Sequence, residues 1–243
     1  MIQKTITYHC RTCGSINITK NGTNKCGNAQ YHCHDCGDYR VLEPQTTYTK
    51  NEQKTILDAY RERASMRGLE RIFGVARQTV ALWIKGTVQE LPDLKATLAP
   101  AQADDVLELD EAWSFVFKKD QKRWLWTALC RRTRQIVAFV IGDRSEHSCR
   151  RLWNKIPDSY KHCHTYSDFW EAYQKVFSSQ THQAVGKETG QTAHMERWYN
   201  TLRQRLARFV RKTLSFSKSD AFHHMVTKWF IALYNLACLP LTS

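Results

Sequence analysis

The apolar positions along the chain change period twice. Residues 1–43 offer short strand-like pieces, interrupted by the turn signals "NGT", "CGN" and "CGD". From 50 to 86 the spacing becomes helical. "NEQKTILDAYRERA" reads as a support helix, and "RGLERIFGVARQTVALWIKG" as two short helices about Gly74. Leu69, Ile72, Phe73, Val75, Val80 and Trp83 would hold those two crossed, with glycine permitting the tight turn of a helix-turn-helix. "LPDLKATLAPAQADD", with two prolines and no strong period, reads as linker. Strands return with "VLELDEAWSFVF", "RWLWTALC" and "RQIVAFVIG". A helix ("SEHSCRRLWNKI"), a strand ("KHCHTYS") and helices to the end follow, which is the order of a mixed α/β domain.

Two of these elements carry polar residues where the pattern is otherwise apolar. In "VLELDEAWSFVF", strand alternation puts Leu107, Leu109, Trp113, Phe115 and Phe117 on one face and Glu108, Asp110, Ala112 and Ser114 on the other. Asp110 therefore projects from a largely apolar strand, where a carboxylate is costly unless paired or metal-bound. Glu111, with the parity of the apolar face, is its main competitor. In "HMERWYNTLRQRLARFVRK", Met195, Tyr199, Leu202, Leu206 and Phe209 form the buried stripe of a long helix. Glu196, Asn200, Arg203 and Ala207 line a second, narrow stripe.

Charge changes the picture next. The 243 residues carry a formal net charge of +13, a field that attracts polyanions, nucleic acid first. No stretch has the ~18 uninterrupted apolar residues of a spanning helix. "MIQKTITYHC" has no apolar segment behind its single lysine, so it is not a signal peptide. A soluble intracellular protein without membrane contact is expected. Between Arg197 and Lys212 lie six basic residues and no acidic one, including Arg205 and Arg208, which reads as a phosphate-facing surface. On the second helix of the helix-turn-helix, Arg77, Gln78, Ala81 and Lys85 would be exposed toward DNA.

Five of the nine cysteines fall within the first 36 residues. Cys10 and Cys13 form one C-x-x-C and Cys33 and Cys36 another, each followed at once by a glycine that suits the knuckle turn. Two such pairs are the ligand set of a structural zinc site, with no open position for chemistry. His9, His32, His34 and Cys26 lie nearby as substitutes, though packing or surface roles suit them better.

Two further carboxylates join Asp110. Asp168, in "HTYSDFWEAY", sits where a strand meets a helix, and with Glu171 it also matches a helix-capping box. Glu196 heads the basic helix, where a solvated surface role competes. Three carboxylates so placed could hold two divalent ions, Mg²⁺ with Mn²⁺ as substitute, for phosphodiester chemistry.

The C-x-x-C ribbon, "GLERIFGVARQTVALWI", "LELDEAW", "YSDFWEAY" and "HMERWYNTLRQR", in that order, resemble the transposase of the insertion sequence IS-one family over essentially the whole chain. The resemblance implies a DDE transposase with an RNase H-like core and catalytic residues Asp110, Asp168, Glu196 and Arg203, with Glu188 as a rival for the third acid. It implies a bacterial cytoplasmic, nucleoid-associated protein that binds double-stranded DNA, both element ends and target, as at least a dimer. The implied layout is a zinc ribbon (1–45), a helix-turn-helix (46–88), a linker (89–105) and a catalytic domain (106–243). A DNA-binding repressor with a non-catalytic oligomerisation domain, or a simple nuclease on the same core, would share parts of this pattern.

Overall fold

The computed structural model describes residues 2, 5–24, 27–42 and 48–239, which fall into two units, Met1–Glu52 and Gln53–Ser243. In the first, strands β1 (Ile18–Thr23), β2 (Ala29–Cys33) and β3 (Tyr39–Arg40) form a small antiparallel sheet in the order β1-β2-β3. Among its described residues only Cys10 and Cys33 are buried. A sheet this small, with no apolar core, requires a cross-link to stay folded.

The second unit begins within helix α1 (Lys50–Arg61) and continues with α2 (Met66–Phe73) and α3 (Arg77–Gln89). Ser65 caps α2 by accepting from the Gly68 N–H at 2.9 Å, and Gly74 ends it with a left-handed φ of 65°. The three helices bury Ile56, Leu57, Tyr60, Leu69, Val75, Val80 and Ile84. Ile72 and Phe73, expected as contacts, are exposed, and Trp83 is half-buried. The turn at Gly74 follows them directly, so the seal is made by Val75 beyond it and by Val80 and Ile84, one turn apart on α3.

The remainder is a five-stranded mixed sheet. Strands β4 (Val106–Val116), β5 (Lys118–Cys130), β6 (Ile136–Gly142), β7 (His164–Ser167) and β8 (His182–Ala184) lie in the order β6-β5-β4-β7-β8. The first three are antiparallel hairpins, while β7 runs parallel to β4 and β8 parallel to β7. Helices α4 (Glu146–Lys155) and α5 (Glu171–Val176) bury Cys149, Leu152, Ala172 and Tyr173 against Leu107, Leu109 and Trp126. On the other side, α6 (Ala193–Arg205) and α7 (Asp220–Ala237) meet the sheet through Tyr199, whose hydroxyl donates to the carbonyl of Asp110 at 2.8 Å, and His223, 3.1 Å from Ser114.

Three boundaries differ from the periodic reading. Phe117 is not on a strand face: it is exposed, with φ of 65°, in the tight turn between β4 and β5. The long basic helix stops at Arg205, and Ala207–Phe209 form a separate 3₁₀ turn. Residues 89–105, expected as linker, are tied to the sheet. Thr97 is fully buried, the Tyr160 hydroxyl donates to the Ala99 carbonyl at 2.8 Å, and buried Asp105 accepts from Arg132 at 2.7 and 2.8 Å. Among the described residues no helix is long and apolar enough to cross a membrane.

Buried Asn235 on α7 holds this edge together. It accepts from the Ile136 N–H at 2.8 Å and donates to the Ile136 carbonyl at 2.9 Å and to Thr97 Oγ1 at 3.1 Å. Asn235→Leu leaves an N–H, a carbonyl and a hydroxyl short of partners in the interior. Urea unfolding should show a loss of about 2–4 kcal/mol.

Candidate functional site

The pairing register creates the site. Glu108 is level with Tyr166 where β4 and β7 run parallel, so two residues further along Asp110 is level with Asp168, just past the end of β7. Oxygens of Asp110, Glu111 and Asp168 all lie within 4.8 Å of one another. Asp110 Oδ1 accepts from the Glu111 N–H at 2.7 Å, and Asp168 Oδ1 from the Trp170 N–H at 3.0 Å. Burial, then the charges of Glu111 and Asp168, push the Asp110 carboxyl up to about 7. Glu111 is also raised, by burial first and by Asp168. Carboxylates crowded in this way are a donor set that fits a divalent cation.

Asp168 does not cap α5, whose N-cap is Trp170 and has no side-chain capping bond. The capping box suggested by Asp168 and Glu171 is thus not formed, and Glu171 instead pairs with Lys175.

Glu111 is present where Glu196 was expected. Its Oε1 accepts from Arg144 Nε and Nη2 at 2.8 and 2.6 Å, and its Oε2 from the Tyr173 hydroxyl at 2.8 Å. Glu196, in the first turn of α6, is half exposed and outside the cluster, with its nearest basic partner, Lys187, 3.9 Å away. The positive charge of Lys187, in the turn Lys187–Thr189 ahead of α6, favours the ionised form of Asp110. Glu188 is exposed in the turn before α6. Arg203, in the last turn of α6, lies over the Tyr199 ring at 5.7 Å.

Glu108 was not read as functional, and no ligand pattern marks it. It is fully buried and accepts four hydrogen bonds: from Arg131 Nε at 2.9 Å, His194 Nδ1 at 2.6 Å, and the N–H groups of His194 and Met195 at 3.0 Å each. The last two are free donors of the first turn of α6, so a strand residue caps that helix. Only its parity, shared with Asp110, signalled this.

A family model described as IS1 transposase matches residues 105–236. The chain belongs to the IS1 transposase family. The InsB protein of insertion element iso-IS1n from Shigella dysenteriae is 36% identical over 126 residues, covering 52% of this chain and 93% of its own length. The IS1 InsB protein of Shigella flexneri is 36% identical over 119 residues, covering 49% and 88%, and that of IS1 4 from Escherichia coli K12 is 35% identical over 119 residues, covering 49% and 69%. The segment matched by the IS1 model contains Glu108, Asp110, Glu111, Asp168, Glu196 and Arg203.

The other candidates of this IS1-family chain are distributed as follows. In the first unit, sulfurs of Cys10, Cys13, Cys33 and Cys36 lie within 4.8 Å of one another, a set that could hold zinc. Gly14 and Gly37, with φ of 75° and 72°, donate to the carbonyls of Cys10 and Cys33 at 2.8 and 2.9 Å and close two matching knuckles. The backbone N–H groups of Cys13 and Thr12 hold the Cys10 thiol down at about 6. His9 bonds the Gly14 carbonyl and His34 bonds Thr19, while His32 packs edge-on to His34; Cys26 lies outside the described residues.

Arg77, Gln78 and Lys85 are exposed on α3, and Arg77 pairs with Glu70 at 3.0 Å. Arg77 and Gln78 also line a groove of about 820 Å³ with Arg67, Arg71 and Lys218. Arg197 is exposed on α6. Arg205 instead pairs with Glu62, and Arg208 is buried, bonded to Tyr60 and, at 2.6 Å, to Ser217. The reading of Arg208 as an open phosphate contact is corrected by the end of α6 at Arg205, after which the chain turns inward.

The raised Asp110 carboxyl predicts a pH signature in EDTA. An unfolded aspartate titrates near about 4, so the folded state binds the extra proton between that pH and about 7. Relative to an uncharged residue, the native chain therefore loses stability as pH rises across this window. Asp110→Asn should melt higher than the native chain at pH 8, and the gap should close as pH is lowered to 4. A gap independent of pH would show that burial and the neighbouring acids do not raise the Asp110 carboxyl.

Proposed function

We propose that the chain is a DNA transposase that binds the terminal inverted repeats of an insertion sequence, cleaves there and joins the freed ends to target DNA. The observation that carries this reading is the clustering of Asp110, on β4, with Asp168, just past the end of the parallel neighbour β7. It supports an RNase H-like core of the DDE type, as does the sheet order β6-β5-β4-β7-β8. Asp110 and Asp168 would hold Mg²⁺, or Mn²⁺ in its place. Metal bound there would supply an activated water or 3′-hydroxyl and a counter-charge for the leaving oxygen. Glu196, at the head of α6, is the proposed third acid, and Arg203 and Arg197 on the same helix face the phosphate backbone. Arg77 and Gln78 read bases at the element ends, with Lys85 on phosphate.

The four cysteines hold one structural Zn²⁺, which stands in for the missing apolar core of the first unit. Metal analysis of the full chain should find one zinc, lost when any of Cys10, Cys13, Cys33 or Cys36 is changed to serine. A zinc-free chain with the first unit still ordered would refute this assignment. The protein would act in the bacterial cytoplasm, as at least a dimer on paired ends.

Catalysis is tested on end-sequence duplexes with Mg²⁺. Asp110→Asn, Asp168→Asn and Glu196→Gln should each lower cleavage and strand transfer at least about 10³-fold, of the order seen for loss of a charge-stabilising group, while end binding persists. Full activity of Asp168→Asn would exclude the catalytic reading of that residue. Activity in Glu196→Gln with loss in Glu111→Gln would transfer the third role to Glu111. End binding without cleavage by the native chain would favour a repressor, and cleavage without joining a nuclease.

A further inference from the structure

We infer that Arg144 is a positioning residue that withholds Glu111 from the ion-binding set, leaving Asp110 and Asp168 as the charges that face the cation. The inference rests on the divalent-cation reading given above and concerns why a third carboxylate, already within ligand distance of the other two, does not simply complete the cage.

A carboxylate has about four lone-pair positions. On Glu111 three are taken: two on Oε1 by Arg144 Nε and Nη2, and one on Oε2 by the Tyr173 hydroxyl. The pair also cancels one negative charge of the cluster. Arg144 is not a loose surface side chain. Its guanidinium carbon lies 4.1 Å from the centre of the Trp170 ring and 4.7 Å from that of Trp124. Two indole faces hold the planar cation and fix the direction of its N–H fork.

Those rings come from the elements that carry the site. Trp124 is on β5, the partner of β4, and Trp170 is in the turn whose N–H bonds Asp168. The chain of contacts Asp168–Trp170–Arg144–Glu111 returns to the strand of Asp110. Arg144 thereby links the two carboxylate-bearing segments while occupying the third acid. Groups that hold a metal ligand from behind commonly change affinity by about 10–100-fold when removed, usually downward. Here the expected sign is reversed, because removing Arg144 frees a carboxylate for the ion rather than misaligning one.

The test is Ca²⁺ titration of the full chain by calorimetry at one fixed pH, with no DNA and no turnover. Arg144→Gln should bind Ca²⁺ at least about tenfold more tightly than the native chain, while Arg144→Lys, which keeps the charge but cannot make the two-pronged bond to Oε1, should tighten binding by a smaller factor. The double variant Arg144→Gln/Glu111→Gln should return to the native affinity, because the freed ligand is gone. If Arg144→Gln does not fold, Tyr173→Phe releases the other Glu111 oxygen with its ring packing kept, and should tighten binding by a smaller factor. Unchanged or weaker binding in Arg144→Gln, or a double variant far weaker than the native chain, would overturn the inference and make Glu111 a ligand from the start. If the native chain binds no Ca²⁺ and Asp110→Asn makes no difference, the cation reading itself fails, and this inference with it.

Discussion

Glu108 has no exposed surface, yet four donors from two places in the chain converge on it. A buried carboxylate without partners would cost several kcal/mol, so strand β4 can be buried only if Arg131 and the head of α6 come with it. That requirement fixes the end of α6 against the strand that carries Asp110 two residues later. It also sets where Tyr199 can reach the Asp110 carbonyl, and where Glu196 and Arg203 stand relative to the acids. The sheet and α6 are thus joined by a hydrogen-bonded carboxylate rather than by apolar packing alone.

The same strand shows how crowded acids are managed. Three carboxylates meet where β4 and β7 diverge, and each is treated differently. Asp110 is buried and raised by its neighbours, Asp168 accepts a bond from its own turn, and Glu111 is neutralised by a stacked arginine. The uncompensated charge is confined to the two aspartates, the pair on which a cation would act.

The two units solve the folding problem in different ways. The second has a large apolar core on both sides of its sheet, and its α1–α3 region shares that unit with the sheet. The first buries only two cysteines among its described residues, and its four clustered thiols are a set that could hold a metal in place of an apolar core.

Local chemistry was legible in the chain itself. C-x-x-C spacing and the glycines after it announced the knuckles, and strand alternation aimed Asp110 away from the Leu107 and Leu109 face. The position of Asp168 at a strand end was equally plain. These features depend on residues a few positions apart, where backbone geometry leaves little choice. What only the tertiary structure decided involves partners distant in sequence. Arg144 lies 33 residues from Glu111 and His194 86 from Glu108, and Arg208 reaches Tyr60 across 148. Periodicity could place Glu111 on the apolar face but not show that an arginine and a tyrosine would satisfy it there. Nor could it show that a helix ending at Arg205 would carry Arg208 into the interior, because burial of a charge is settled by which donors and acceptors the whole fold brings to it.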